Sequence, residues 1–207
     1  VRKQHRDPIP YLGGAAVFGG LVVGLIALLL LARDPARSIA KLDAKTIALV
    51  AGAAAMFGLG LWDDLRHMRA RNKLFVQLVV ATAMWFCGLR VDGIRISEHI
   101  DLDFGVFSLP ITVLWIAGVT NAINFIDGLD GLAAGIGAIA ASAIGIVAFQ
   151  GQHYATAALL AILAGSLLGF LLHNRHPARI FLGDAGSLMI GFVLATSAVA
   201  TSNKSTA

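Results

Sequence analysis

Seven apolar runs divide this 207-residue chain, each long enough or nearly long enough to cross a bilayer, and they leave it little choice of fold. In hydrocarbon every backbone N–H and C=O must be satisfied by the protein itself, so isolated apolar runs of this length are helices. A spanning helix takes about 20 mostly apolar residues. The runs fall at Leu12–Leu31, Thr46–Leu61, Leu74–Leu89, Phe107–Asn124, Leu132–Phe149, Ala155–Leu172 and Ser187–Thr201. The expected fold is therefore all-α: a polytopic transmembrane bundle of about seven spans, forming one integral-membrane domain over residues 1–207. Charged residues are only 14% of the chain and hydrophobic residues 57%, against about 25% charged in soluble domains. The 23 glycines suit helices that pack through small side chains. Gly52 to Gly60 and Gly135-Ile136-Gly137 are the expected contact faces.

The polar connections must alternate between the two membrane faces. One face receives residues 1–11, Trp62–Lys73, Asn121–Gly131 and His173–Gly186; the other receives residues 32–45, Arg90–Gly105, Gln150–Tyr154 and the tail. Arg90–Gly105 alternates apolar and polar residues, which predicts a small β-hairpin outside the membrane. Lys and Arg number nine on the first face and seven on the second. By the positive-inside rule the first face is cytoplasmic and the hairpin extracytoplasmic. The four excess positive charges sit in short connections, so they point to a membrane surface and to phosphates, not to nucleic acid. The basic start Val1-Arg2-Lys3 is followed by no small-residue cleavage pattern, so the first span is expected to be retained. With no initiator Met, and a polar tail directly after an apolar run, the chain is expected to be a fragment trimmed at both ends. Cys87 is the only cysteine, so no intrachain disulfide forms, and six scattered histidines give no Cys/His metal cluster.

All the polar clusters with chemical potential fall on that first face, although spans separate them in sequence. Asn121, Asn124 and Asp127 recur at helical i, i+3 spacing, and the Asp127-Gly128 and Asp130-Gly131 pairs then favour a helix end or tight turn. Carboxylates beside hydrocarbon are costly, which makes this segment a functional-site candidate rather than a plain polar seam. Asp63 and Asp64 repel each other unless a cation lies beside them, and such a pair can hold a metal or supply a general base. Arg66, Arg69, Arg71 and Lys73 follow, either as phosphate contacts or as a basic membrane anchor. In Gly183-Asp184-Ala185-Gly186-Ser187 a glycine turn lets Asp184 approach a metal, with Ser187 expected to cap the following helix. His176 and Arg179 face either phosphates or water. The paired Pro8 and Pro10 fix the chain's entry to the first span, ahead of Gly13-Gly14. No Walker A loop or dinucleotide fingerprint is present. Carboxylates, amides and cations on one membrane face describe a Mg²⁺-dependent site for a phosphorylated, partly lipidic substrate. Phosphoryl transfer needs mainly positioning and charge neutralisation.

Three motifs together, Asp63-Asp64, Asn121-x-x-Asn124-x-x-Asp127-Gly-x-Asp130-Gly and Pro177-Ala-x-x-Phe-x-Gly-Asp184-x-Gly-Ser187, resemble the polyprenyl-phosphate N-acetylhexosamine-1-phosphate transferases of glycosyltransferase type 4. The resemblance implies that a polyprenyl phosphate attacks the β-phosphate of a UDP-sugar, releasing UMP and leaving a lipid diphospho-sugar in the bacterial plasma membrane. It implies catalytic roles for Asp63 and Asp64, and Mg²⁺ (Mn²⁺ in its place) at Asp184 with Asn124. It further implies a nucleotide pocket at Asp127 and Asp130 and a phosphate contact at Lys73. Asn121, His176 and Arg179 complete the candidate substrate contacts, and a homodimer is compatible with this family. Pro10-Tyr11-Leu12-Gly13-Gly14 is similar to the opening of the N-acetylglucosamine-1-phosphate branch, although Tyr11 stands where that branch carries Arg. The phospho-MurNAc-pentapeptide branch is the alternative. The family's first span and its later His/Arg-rich loop have no counterpart in the 207 residues, so activity is expected of the complete protein. Three other classes fit less well. An intramembrane aspartyl protease would need a Gly where Phe181 stands, an ion-coupled transporter would show repeated halves, and a CDP-alcohol phosphotransferase would carry Ala-Arg after its Asp-Gly.

Overall fold

The computed structural model describes residues 12–32, 43–97 and 100–202. Among them are seven α-helices: α1 (Gly13–Leu31), α2 (Ala44–Arg66), α3 (Ala70–Phe86), α4 (Ser108–Ile126), α5 (Leu132–Gln150), α6 (Tyr154–Asn174) and α7 (Gly183–Ser202). Strands β1 (Gly93–Ser97) and β2 (Ile100–Asp103) form the expected hairpin between α3 and α4, antiparallel, with Gly93 opposite Asp103 and a register shift between Arg95 and Ser97. The Pro8-Ile9-Pro10-Tyr11 entry, residues 33–42 of the first connection and the tail 203–207 lie outside the described residues.

Six of these helices are long and apolar enough to cross a membrane. The seventh expected span is α3, which is shorter at 17 residues. At 1.5 Å per residue it reaches about 26 Å, the lower end of the spanning range. It stops early because Gly88, at φ 85°, takes up the left-handed conformation after it. The Gly88 N–H then bonds the Trp85 carbonyl and the Leu89 N–H bonds that of Met84, satisfying the carbonyls of the last turn. Helices α2 and α7 run past their expected ends at the polar face. Asp63 and Asp64 therefore sit on the last turn of α2, and Asp184 on the first turn of α7, rather than in loops. At the other end of α2, Asp43 caps the helix by accepting the Thr46 N–H at 2.9 Å. Partial burial pushes the Asp43 carboxyl up, but the hydrogen bonds from Thr46 and the nearby Lys45 outweigh it and hold the group below its ordinary value.

Helix α7 is the axis of the bundle. It is apolar or small-sided all round, as a helix enclosed by others must be, and its residues from Ala185 to Ser197 are all buried. Helices α2 and α4 form its principal walls, with α1, α5 and α6 around the rest. Small residues set how closely the walls approach. A Cβ on Gly60 would collide with the Asp184 carbonyl and Ala185, one on Gly14 with Gly186, and one on Gly52 with the Phe192 ring. Gly137 likewise packs on Ile190 and Leu167, whereas Gly58 and Gly135 face open space, so only part of each expected glycine face is a contact face. The unpaired first-turn amides of α1 are satisfied by the loop before α7: Gly13 N–H donates to Phe181 O at 2.9 Å and Gly14 N–H to Leu182 O at 2.7 Å. One end of the bundle thereby gathers the start of α1, the end of α2, the start of α3, the end of α4 and the start of α7.

Candidate functional site

At that end three helices deliver charged side chains to one point. Helix α2 finishes with Asp63 and Asp64, and His67 in the left-handed region (φ 52°) closes it by donating its N–H to the Asp63 carbonyl at 2.8 Å. The chain turns within residues 67–69, so that Lys73 on the first turn of α3 reaches back. Its Nζ donates to Asp63 Oδ2 at 2.7 Å and to Asp184 Oδ2 at 2.5 Å. A single ammonium is thus shared by carboxylates 121 residues apart in sequence. The side chains of Lys73, Asp63 and Asp184 are 16%, 11% and 30% exposed, a partly enclosed setting in which the charges are screened less than on an open surface.

Each carboxylate is further oriented. Asp63 Oδ1 accepts the Met68 N–H at 2.6 Å. Asp184 Oδ1 accepts Asn124 Nδ2 at 2.7 Å, and the same amide nitrogen donates to Ser187 Oγ at 2.8 Å. Asn124 therefore shows Asp184 its donor side rather than an oxygen. Ser187 does not cap α7. The helix begins four residues earlier, and the buried Ser187 hydroxyl donates to the Gly183 carbonyl at 3.0 Å. The capping falls to Asp64, whose two oxygens accept the Asp184 N–H at 2.9 Å and the Ala185 N–H at 3.0 Å. An anion at a helix N-terminus also meets the positive end of the helix dipole.

The adjacent carboxylates thus do different work. Asp63 faces the shared ammonium, while Asp64 ties α2 to the start of α7. Replacing Asp64 by Ala removes both acceptors and is expected to cost about 1–2 kcal/mol, the range of a lost helix cap. Hydrogen exchange at the Asp184 and Ala185 amides should accelerate, and Asp64→Asn, which keeps one acceptor oxygen, should lose less.

A second cluster joins the α4–α5 turn to the α6–α7 loop. Asp130 Oδ2 faces His176 Nδ1 at 3.0 Å and accepts the Ala178 N–H at 3.2 Å. Asn174, buried, accepts the Gly131 N–H at 3.0 Å and donates to the Ile180 carbonyl at 2.8 Å. The two glycine-rich motifs are thus latched together beside the carboxylates. Asp127 forms the C-cap of α4, and Gly131 (φ 75°) starts α5, as the expected helix end and tight turn. Arg179 is exposed and meets the loop through its backbone, donating to the His173 carbonyl. Arg66 lies over Trp62 at 5.8 Å on the exposed rim, an arrangement suited to anchoring at an interface.

Asn121 lies one helical turn below Asn124 and away from the ion pairs. Its Nδ2 donates to Gln77 Oε1 at 2.5 Å and to the Ala117 carbonyl at 2.7 Å. Sequence reasoning missed Gln77, Asn174 and the backbone of Met68. For Gln77 the signal was present: an amide inside an apolar run, four residues after Lys73. Among the described residues, no group of three or more His, Cys, Asp or Glu side chains is arranged to hold a metal.

Comparison with known proteins adds the family. The model described as "Glycosyl transferase family 4" matches residues 46–202. A Bacillus subtilis (strain 168) protein described as a probable undecaprenyl-phosphate N-acetylglucosaminyl 1-phosphate transferase is 40% identical over 194 residues, covering 92% of this chain and 51% of the relative. A Mycobacterium tuberculosis (H37Rv) decaprenyl-phosphate N-acetylglucosaminephosphotransferase is 38% identical over 210 residues, covering 95% and 51%. A Halalkalibacterium halodurans phospho-N-acetylmuramoyl-pentapeptide-transferase is 35% identical over 210 residues, covering 95% and 62%. The chain spans about half to three-fifths of the length of these relatives.

Proposed function

The chain belongs to glycosyl transferase family 4, and from that premise we propose that the protein transfers a sugar 1-phosphate, N-acetylglucosamine 1-phosphate first among the candidates, from a UDP-sugar to a polyprenyl phosphate. The observation that carries this reading is the convergence of Asp63 and Asp184 on one cation at the ends of membrane-length helices. Such a point suits a reaction in which a lipid phosphate, anchored in the bilayer, meets a soluble nucleotide sugar. An oxygen of the lipid phosphate attacks the β-phosphorus, the bond from that phosphorus to the bridging oxygen breaks, and UMP leaves with the electron pair.

The donor set also fits Mg²⁺. That ion is usually held by one or two carboxylates and completes its octahedron with water and substrate phosphates, so a protein cluster of three acids is not required. Asp184 would hold it, with the Asn124 oxygen available on rotation of the amide and Asp63 converging on the same point. When bound, Mg²⁺ would neutralise charge on the diphosphate. Lys73 would donate to a phosphate oxygen, and Asp63 would orient Lys73 and accept any proton left on the lipid phosphate. Asp127, on the turn between the clusters, would face the nucleotide, with His176 and Arg179 on its rim. Asp130 would act by holding the loop that carries them. The basic Arg66, Arg69 and Arg71 support a cytoplasmic site, where UDP-sugars are available.

The test is UMP release by membranes containing the complete protein, supplied with polyprenyl phosphate, Mg²⁺ and either UDP-N-acetylglucosamine or UDP-MurNAc-pentapeptide. Release with the first substrate and not the second is the expected result. Release with the second alone would assign the protein to the other branch represented among its relatives. Proteolysis or ion flux without UMP release would overturn the reading.

A further inference from the structure

Helix α3 carries Lys73, yet it is held to the rest of the bundle by little. Its buried residues are Gln77, Ala81 and Met84, a single i, i+4, i+7 stripe, and it packs on α2 and α4. At the far end of that contact Trp85 Nε1 donates to Ser108 Oγ at 3.0 Å. At the site end Lys73 itself is paired with Asp63 and Asp184, and the side-chain link from α3 to α4 is Gln77 to Asn121. Gln77 is fully buried, and its Nε2 has no hydrogen-bond partner. An orphaned buried donor works against stability, so an apolar residue of the same shape would serve the fold at least as well. A residue kept at such a cost is explained better by what it positions than by what it stabilises.

What it positions follows from helical spacing. Gln77 is one turn beneath Lys73 on α3, and Asn121 is one turn beneath Asn124 on α4. Among the described residues, Lys73 and Asn124 are the two side chains that donate to Asp184, one to each oxygen. We infer that Gln77 is a positioning residue: its bond to Asn121 fixes α3 against α4 and thereby sets where the Lys73 ammonium stands between Asp63 and Asp184. This inference rests on the transferase reading for its effect on rate, but not for its effect on Lys73 itself. A change of about 1 Å in a group that meets the reacting phosphates can cost on the order of 10²-fold in rate.

The test uses Gln77→Met in the complete protein, a substitution that keeps length and shape while removing the amide. Three readouts are compared with the unsubstituted protein: thermal midpoint, UMP-release kinetics, and the rate of amine acylation at each lysine followed by mass spectrometry. The thermal midpoint should be equal or higher. Acylation of Lys73 should rise several-fold while that of Lys45, at the opposite end of α2, stays constant. The kcat should fall at least about tenfold, with KM for the UDP-sugar changed far less. Unchanged Lys73 acylation would overturn the inference, as would unchanged kcat. A lower midpoint with Lys45 and Lys73 rising together would also overturn it, because that is what a merely structural glutamine would do. If the unsubstituted protein releases no UMP, the transferase reading fails, and the acylation ratio still decides whether Gln77 places Lys73.

Discussion

Replacing Asp184 by Asn is expected to lower UMP release by about 10³-fold, the scale on which removal of a single charge-stabilising group in an active site is felt, with little change in thermal midpoint. The separation of the two effects follows from how its neighbours are arranged. Asp184 accepts from Lys73 on one oxygen and from Asn124 on the other, so an amide there must turn donors toward a donor. Neither neighbour is stranded by the change: Lys73 keeps Asp63 and Asn124 keeps Ser187. The start of α7 is also secure, since Asp64 is bonded to the backbone of Asp184 and Ala185 and not to the side chain. The loss therefore falls on charge at the point where three helices converge. Activity within tenfold of the parent would remove Asp184 from the chemistry, and a midpoint drop of several degrees would make its role structural.

The fold was largely legible because hydrophobic runs of membrane length admit one local structure. Boundaries were legible only where the backbone obeyed local rules. Gly131 marks a start that glycine conformational freedom explains, whereas the helix before Gly88 ends at Phe86, short of the expected Leu89. The ends of α2 and α7 were misjudged, because Asp63, Asp64 and Asp184 read as loop residues by polarity alone. Each is helical since a partner from elsewhere satisfies it: Lys73 bridges two of them, and Asp64 accepts from the α7 backbone. The one-face argument anticipated that Asp63, Lys73, Asn124 and Asp184 would meet. It could not anticipate that adjacent Asp63 and Asp64 would point to different tasks, since that depends on a helix start 120 residues away. Nor could it separate Asn121 from Asn124. Both lie on one helical face, but only the upper one reaches the ion pairs, and the lower one needs Gln77 from another helix to be interpreted.

Lys73→Met poses the sharpest question about the centre, because it leaves two carboxylates facing each other with no ammonium between them. In a fully buried pair the loss of one partner costs about 3–5 kcal/mol. Here the groups are 11–30% exposed, so a penalty of about 1–3 kcal/mol is expected after allowance for screening. UMP release should fall about 10²-fold as a phosphate contact disappears. The distinguishing result lies in the metal. With Lys73 present, a divalent cation must compete with an ammonium already held at 2.7 and 2.5 Å by the two carboxylates. Without it, the cation relieves a repulsion as well as finding ligands. The midpoint of Lys73→Met should therefore be lower than that of the parent in chelator, and Mg²⁺ should raise it by more degrees than it raises the parent's. Lys73→Arg retains the charge, but a planar fork replaces the compact ammonium, so its response to Mg²⁺ should stay near the parent's while its activity remains low. If Mg²⁺ shifts all three midpoints equally, the carboxylates that Lys73 bridges are not the ones that hold the metal.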